Sequence, residues 1–166
     1  MTAPRDGLRP VRDGDAAALE ALIRRCWDDY PGCVLDVDAE EPWLRAPASA
    51  QAAVHGALWV LDGGPDTAGL VASVAVRHVP GAGEAELKTL YVWPTGRRQG
   101  LGAALLHHAE RYASDRGATS MVLWSDTRFE AAHRLYERHG YRRFAGRSLA
   151  DLSHSREHGF RRRLTR

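Results

Sequence analysis

The sequence lacks the cysteine patterns and long apolar segments that are typical of secreted, zinc-binding or membrane-spanning proteins. It has two cysteines, Cys26 and Cys33, which are too few for a disulfide framework and leave no second pair with zinc-ligand spacing. No apolar run is long enough to cross a bilayer, and the N-terminus lacks the hydrophobic segment of a secretion signal. We therefore predict a cytoplasmic protein with reduced thiols and no membrane partner.

Net charge is also nearly absent, at +2 from 23 basic and 21 acidic residues, so the total gives no support for a nucleic-acid partner. An arginine-rich C-terminal end is the one feature that favours such a partner, and it would show as a steep salt dependence. With 166 residues and 44% apolar content, the chain is long enough for one core and too short for two, which predicts a single domain over 1–166.

Hydrophobic periodicity predicts a mixed α/β (α+β) domain. Helices are predicted over Ala16–Trp27, Ala48–His55, Gly100–Arg116 and Arg128–Arg138. Strands are predicted over Leu8–Arg12, Ala57–Leu61, Leu70–Val79, Glu84–Val92, Thr119–Trp124, Tyr141–Arg147 and Glu157–Leu164. The second to fourth strands form an antiparallel meander, and the next strand-helix-strand passage requires a parallel pair.

A long acidic stretch over 28–47 shows no clear period, and we name it the long loop. A compact domain rarely keeps a connection of this length without a use for it.

The run from Leu90 to Leu106 reads as a strand, a turn and a helix, with the turn at Arg97–Gly102, which we name the glycine turn. A helix N-terminus presents bare N–H groups and a positive dipole end, and glycines let a phosphate approach the backbone. A Walker loop would need a Gly-Lys-Ser/Thr ending, and the dinucleotide pattern would need a third glycine. Both patterns fail here, so the anion remains to be identified.

The glycine turn resembles the acetyl-coenzyme-A motif of the GNAT-type N-acetyltransferase superfamily, Q/R-x-x-G-x-G/A. The segment Ala132–Tyr141 resembles that family's A-x-x-L-Y-E-x-x-G-F/Y motif. The resemblance implies a single-domain mixed sheet, acetyl-CoA as co-substrate and a cofactor-binding core over about 84–144. It further implies that backbone N–H groups hold the pyrophosphate and that the preceding strand pairs with the pantetheine arm. The cofactor-binding residues it implies are Leu90, Tyr91, Val92, Arg97, Arg98, Gln99, Gly100, Leu101, Gly102 and Ala103.

One position departs from the family pattern. Many members carry an asparagine near the pantetheine arm where this chain has Phe129. Asp126 or Thr127 is a candidate to supply that polar contact, and the alternative is that both cap the following helix.

Two residues are candidates for the chemistry. Tyr136 stands at the family's general-acid position and could return a proton to the coenzyme A thiolate, although its helical face also fits a core position. Glu86 is the candidate base, because strand alternation puts Glu84, Glu86 and Lys88 on one face and Leu87, Thr89 and Tyr91 on the other. The alternative for Glu86 is a solvated face with a charge pair to Lys88. By family precedent, the main-chain N–H of Val92 would hold the oxyanion.

The acceptor site is expected between the long loop and the turn near Ser148–Glu157. Acidic residues of the long loop (Asp36, Asp38, Glu40 and Glu41) favour a cationic acceptor such as a polyamine, an aminoglycoside or a basic peptide end, unless they are merely solvated. Tyr30, Trp43 and the Pro31-Gly32-Cys33 turn would supply a wall. His154 and His158 lie too far apart on an extended strand for a metal pair, and we expect no metal.

The sequence thus predicts an acetyl-CoA-dependent N-acetyltransferase acting on a primary amine of a small molecule or peptide, as a monomer or homodimer. The rival prediction is a non-catalytic acyl-CoA-binding regulatory module.

Overall fold

In the computed structural model, which describes residues 7–79 and 81–165, the chain forms one seven-stranded sheet with four α-helices. The strand order across the sheet is β1-β2-β3-β4-β5-β7-β6. The strands are β1 (Leu8–Pro10), β2 (Ala57–Asp62), β3 (Leu70–Val79), β4 (Glu84–Val92), β5 (Ser120–Asp126), β6 (Arg142–Ser148) and β7 (Arg156–Arg163). The predicted mixed α/β fold is confirmed.

The helices are α1 (Ala16–Trp27), α2 (Pro47–Ala53), α3 (Leu101–Asp115) and α4 (Glu130–Arg138). The prediction for α1 matches to the residue, whereas α2 begins and ends earlier than predicted. Proline is favoured in the first helical turn, and His55 has a φ of +52°, which helical backbone excludes. A 3₁₀ turn at Pro42–Arg45 interrupts the long loop. Among the described residues, no helix is long and apolar enough to cross a membrane.

Strand pairing follows the predicted pattern. β2, β3 and β4 form the antiparallel meander, and β4 pairs with β5 in parallel across the crossover through α3. β7 then inserts between β5 and β6, antiparallel to both. The parallel β4–β5 pair is therefore the only place in the described sheet where two neighbouring strands run the same way.

Two hydrophobic clusters cover the two faces of the sheet. One contains Leu105, Leu106 and Ala109 of α3 with Tyr136 of α4 and Phe160 of β7. The other contains residues of α1 and of the long loop, packed on β2 and β3: Leu19, Leu22, Ile23, Leu35, Val37, Leu44, Leu58, Val60 and Ala75. The long loop is thus partly core, although its sequence shows no period.

A β-bulge in β4 changes the predicted alternation. Lys88 pairs with Ala75 and Tyr91 with Ser73, so two residues of β4 lie opposite one residue of β3. Thr89 has a left-handed φ of +55°, and its carbonyl accepts a hydrogen bond from the Ser73 hydroxyl at 2.8 Å.

The predicted placement of Tyr91 on the face of Leu87 is consequently wrong. The extra residue turns Tyr91 toward α1, where its hydroxyl accepts a 3.0 Å hydrogen bond from Trp27 Nε1. Leu90 and Val92 turn toward the α3 side instead.

Candidate active site

A cavity of about 260 Å³ opens where β4 and β5 separate. Their parallel pairing ends at Leu87 and Leu123, while β5 continues beside β7 to Asp126. The ends of β4 and β5, one face of α4 and the long loop line this cavity. The connection over 149–155, which we name the β6–β7 loop, lines it as well. Residues from both expected acceptor segments therefore meet the strand expected to hold the cofactor.

Tyr136 lies at the base of this cavity. It is 6% exposed and packs against Tyr141 and Phe160, with ring centroids 5.9 and 5.8 Å away. No described residue forms a hydrogen bond with its hydroxyl, and burial raises the pKa of Tyr136. The residue is therefore part of the core and part of the cavity wall at once, and its phenol stays protonated in the neutral range.

Glu86 lines the same cavity, and its side chain is 19% exposed. Its neighbours in the sheet are Arg77 on β3 and Val122 on β5. Lys88 Nζ lies 3.5 Å from Glu86 Oε1. Glu86 thus lines the cavity and also has a cationic neighbour, so both alternatives considered for it stay open.

The glycine turn leaves a group of main-chain donors without partners. The Arg97 N–H donates to Pro94 O, and the Ala104 N–H donates to Gly100 O. The six N–H groups between them, 98–103, form no main-chain hydrogen bond with any described residue. Gly100 has a φ of +78° that favours glycine, and a Cβ on Gly102 would lie 3.2 Å from Leu135 Cδ2. These two glycines let the turn form and let α3 begin close against α4.

The two arginines of the turn differ in their surroundings. Arg97 donates from Nε to Val92 O at 3.0 Å and from Nη1 to Asp29 Oδ2 at 3.1 Å. Arg98 is exposed and forms no ion pair with any described residue. Arg98 is therefore the more available charge for an anion at this turn.

Asp126 does not cap α4, and neither does Thr127. Phe129 occupies the N-cap position without a side-chain cap bond. Asp126 instead accepts bonds from Arg128 Nε and Nη2 at 2.8 and 2.9 Å, and from the Arg128 main-chain N–H at 2.9 Å. Burial opposes ionisation of Asp126, but the bonds from Arg128 outweigh it and lower the pKa of that carboxyl. The alternative that Asp126 and Thr127 cap α4 is therefore wrong, because the helix begins at Glu130, two residues later than predicted, and Phe129 stands at the N-cap.

The acidic lining predicted for the long loop is reduced to Glu41, the one member of that group that lines the cavity. Asp36 accepts the Ala39 N–H, Asp38 pairs with Arg45, and Glu40 accepts the Leu152 N–H. These carboxylates organise the loops, which the sequence could not indicate.

The predicted wall is partly present. Trp43 and Cys33 line the cavity, and Trp43 Nε1 donates to Glu41. Tyr30 lies outside the lining and packs on Phe129, with ring centroids 4.7 Å apart. Burial raises the pKa of Cys33, which therefore stays a thiol at neutral pH.

The structure adds residues that sequence analysis missed. Trp124 lines the cavity with Arg147 stacked 4.1 Å over its ring, and Ser153 and Ser155 line it from the β6–β7 loop. No local pattern marks these residues, because the cavity brings them together from separate strands and loops. Within residues 7–79 and 81–165, no group of three or more histidine, cysteine or acidic side chains could hold a metal ion.

Comparison with known proteins decides the family. A sequence model of the Acetyltransferase (GNAT) family matches residues 17–141. The chain belongs to the GNAT family. A relative, N-acetyltransferase 8F1 of Rattus norvegicus, is 30% identical over 135 residues, which is 79% of this chain and 58% of that protein.

Solved GNAT structures share the fold. An acetyltransferase of the GNAT family from Staphylococcus aureus Mu50 has a TM-score of 0.77 at 15% identity, covering 96% of this chain and 100% of that one. The Salmonella typhimurium protein yncA, solved with its cofactor acetyl-CoA, has a TM-score of 0.68 at 18% identity, covering 95% and 93%.

The chain spans only about half the length of the curated relatives it matches. The prediction of an acyltransferase is confirmed at the level of the family, since the family and these relatives are acetyltransferases. The roles of individual residues stay predictions.

Proposed function

We propose that this GNAT protein is an acetyl-CoA-dependent N-acetyltransferase that moves the acetyl group to a primary amine by direct transfer in a ternary complex. The observation that carries the proposal is the cavity at the separation of β4 and β5, lined by Tyr136, a residue whose hydroxyl forms no hydrogen bond with any described residue. The open N-terminus of α3 follows β4 in the same crossover.

The residues present fit coenzyme A. The unpartnered N–H groups from Arg98 to Ala103 would hold the pyrophosphate, helped by the positive end of α3 and by the Arg98 guanidinium. The main chain of Leu90 to Val92, which runs past the end of the β4–β5 pairing, would bind the pantetheine arm as an added strand. When bound, acetyl-CoA supplies an activated thioester for transfer to the amine.

Tyr136 is the proposed general acid. Its Oη holds a proton that the departing sulfur needs, and burial with a raised pKa keeps that proton in place. Burial weakens the Tyr136 phenol as an acid, but the same dry site also disfavours the charged thiolate that the phenol would protonate. Because the Tyr136 pKa is raised, loss of its proton should cause no fall in activity below about pH 10.

Glu86 is the proposed base, and it would take a proton from the acceptor ammonium, directly or through water, so that the neutral amine can attack the thioester. Glu86 lines the cavity from β4, upstream of the residues expected to hold pantetheine. The Val92 main-chain N–H is the proposed oxyanion donor, by the family resemblance. Glu41 and Glu86 together favour a cationic acceptor, although Lys88 offsets part of their charge.

The experiment is an assay of thiol release from acetyl-CoA with a panel of amines: spermidine, kanamycin and a basic tripeptide. We expect release above hydrolysis with at least one, and a loss of about 10²- to 10³-fold in kcat in Tyr136→Phe. The acetyl-CoA Kd should change less than about twofold, because the Tyr136 hydroxyl is proposed to act in the chemical step and not in binding the cofactor.

Tyr112→Phe is the matched control, since Tyr112 lies on α3 and stacks on Trp59 away from the cavity. Equal losses in both variants would contradict the role of Tyr136. Acetyl-CoA binding without release for any amine would favour the regulatory module.

A further inference from the structure

The long loop and the β6–β7 loop are tied together across the acceptor side of the cavity. The Val34 N–H donates to Ser153 Oγ at 2.8 Å, and Ser153 Oγ donates to Val34 O at 3.2 Å. The Leu152 N–H donates to Glu40 Oε1 at 2.7 Å. The joined residues are 119 and 112 positions apart in sequence, so neither loop fixes the other through local structure.

Arg128 joins both loops to the end of β5. Its guanidinium makes a bidentate ion pair with Asp126, which is 7% exposed. The same group donates to Ser153 O at 3.0 Å and to Pro31 O at 3.4 Å. One side chain therefore contacts the β5 end, the long loop and the β6–β7 loop.

The residues around Arg128 leave room for this arrangement. Gly32 has a φ of +88°, and a Cβ there would lie 3.0 Å from Arg128 Nη1. A glycine at this position thus permits both the turn and the approach of the guanidinium. A lysine could not replace Arg128, because a single ammonium cannot serve two carboxylate oxygens and two carbonyls in fixed directions.

We propose that Arg128 is a positioning residue for the acceptor, acting through Asp126 and the two loops to fix the wall against which the amine binds. This inference rests on the proposed function. Both loops place side chains in the cavity, Cys33 and Leu35 from one and Asp151 and Ser155 from the other. Among the described residues, Arg128 forms no hydrogen bond or ion pair with the glycine turn or β4, so we expect its loss to affect the cofactor side little.

The test compares Arg128→Met with the unchanged protein by amide hydrogen exchange, acetyl-CoA calorimetry and steady-state kinetics. We expect exchange at the Val34 and Leu152 amides to be at least about tenfold faster, which corresponds to about 1.4 kcal/mol. The acetyl-CoA Kd should stay within about twofold. With the best amine of the panel, the acceptor KM should rise about tenfold while kcat falls less than about threefold.

Arg134→Met is the matched control, because Arg134 is an exposed arginine on α4 with no ion pair among the described residues, and it should change none of these quantities. Arg128→Lys should not restore the low acceptor KM. If Arg128→Met fails to fold, Ser153→Ala removes only the bonds to Val34, and exchange at Val34 should still rise.

The proposal would be overturned if amide exchange at Val34 and Leu152 were unchanged, or if exchange became equally faster throughout the sheet. An equal rise in the acetyl-CoA Kd and the acceptor KM would overturn it as well. If no amine of the panel is acetylated, the proposed function fails, whereas exchange and acetyl-CoA binding still decide whether Arg128 holds the two loops.

Discussion

The cofactor half and the acceptor half of this molecule are built in different ways. The cofactor half, β4 through α3, consists of consecutive elements and would bind its ligand mostly through main-chain groups. The acceptor half, the long loop with the β6–β7 loop, is held by side-chain bonds between residues more than a hundred positions apart. The contacts between its two loops therefore depend on a few polar side chains.

This difference matches the division of labour in a transferase that takes one acyl donor and varies its acceptor. Main-chain donors at a helix N-terminus are insensitive to most substitutions, whereas loops held by side chains can change with few substitutions. The comparison predicts that substitutions in each half should affect different measured quantities.

The largest expected effect is on stability in the cofactor half. Glu110 of α3 is 8% exposed and accepts bonds from Arg162 Nη1, at 2.9 and 3.0 Å, and from the Tyr141 hydroxyl at 2.9 Å. Arg162→Met leaves this carboxylate without its cation, so we expect a loss of about 2 kcal/mol in the free energy of unfolding, discounted for partial exposure of Arg162. Urea denaturation measures the change.

The matched variant in the acceptor half is Arg45→Met, which removes the exposed ion pair with Asp38 of the long loop. That pair is solvated, so urea denaturation should show no measurable change. Equal losses for the two variants would contradict the description of the Glu110–Arg162 pair as largely buried and of the Arg45–Asp38 pair as exposed.

A smaller effect is expected from acid. Because Arg128 lowers the pKa of Asp126 in the folded state, their pair contributes its full stability above the unfolded carboxyl pKa of about 3.9. That contribution is lost as the pH falls through the lowered pKa. The difference in urea midpoint between the unchanged protein and Arg128→Met should therefore be constant from about pH 5 to 8 and shrink below about pH 4.

A difference that stays constant down to pH 3 would show that Arg128 acts by packing alone. Arg134→Met serves again as the control, and its midpoint should follow that of the unchanged protein at every pH.

Sequence patterns predicted the regular helices and strands better than the bulge and the contacts between loops, for physical reasons. Strand and helix periods predicted the bounds of α1, β3 and β4, because their buried faces repeat regularly. The bulge at Thr89 carries no such signal, since a threonine with positive φ depends on the Ser73 bond across the sheet. The same holds for Glu40 and Asp126, whose partners are set by tertiary contacts.

The central claim is that acetyl-CoA binding depends on the glycine turn and not on the bonds between the loops. Its most direct test is calorimetric titration of acetyl-CoA, without an acceptor, into the unchanged protein, Arg128→Met and Gly100→Val. A β-branched residue at the left-handed φ of Gly100 would distort the turn. We expect one site with similar Kd in the first two proteins and at least about tenfold weaker binding in Gly100→Val. Equal affinity in all three, or loss of binding in Arg128→Met alone, would contradict it.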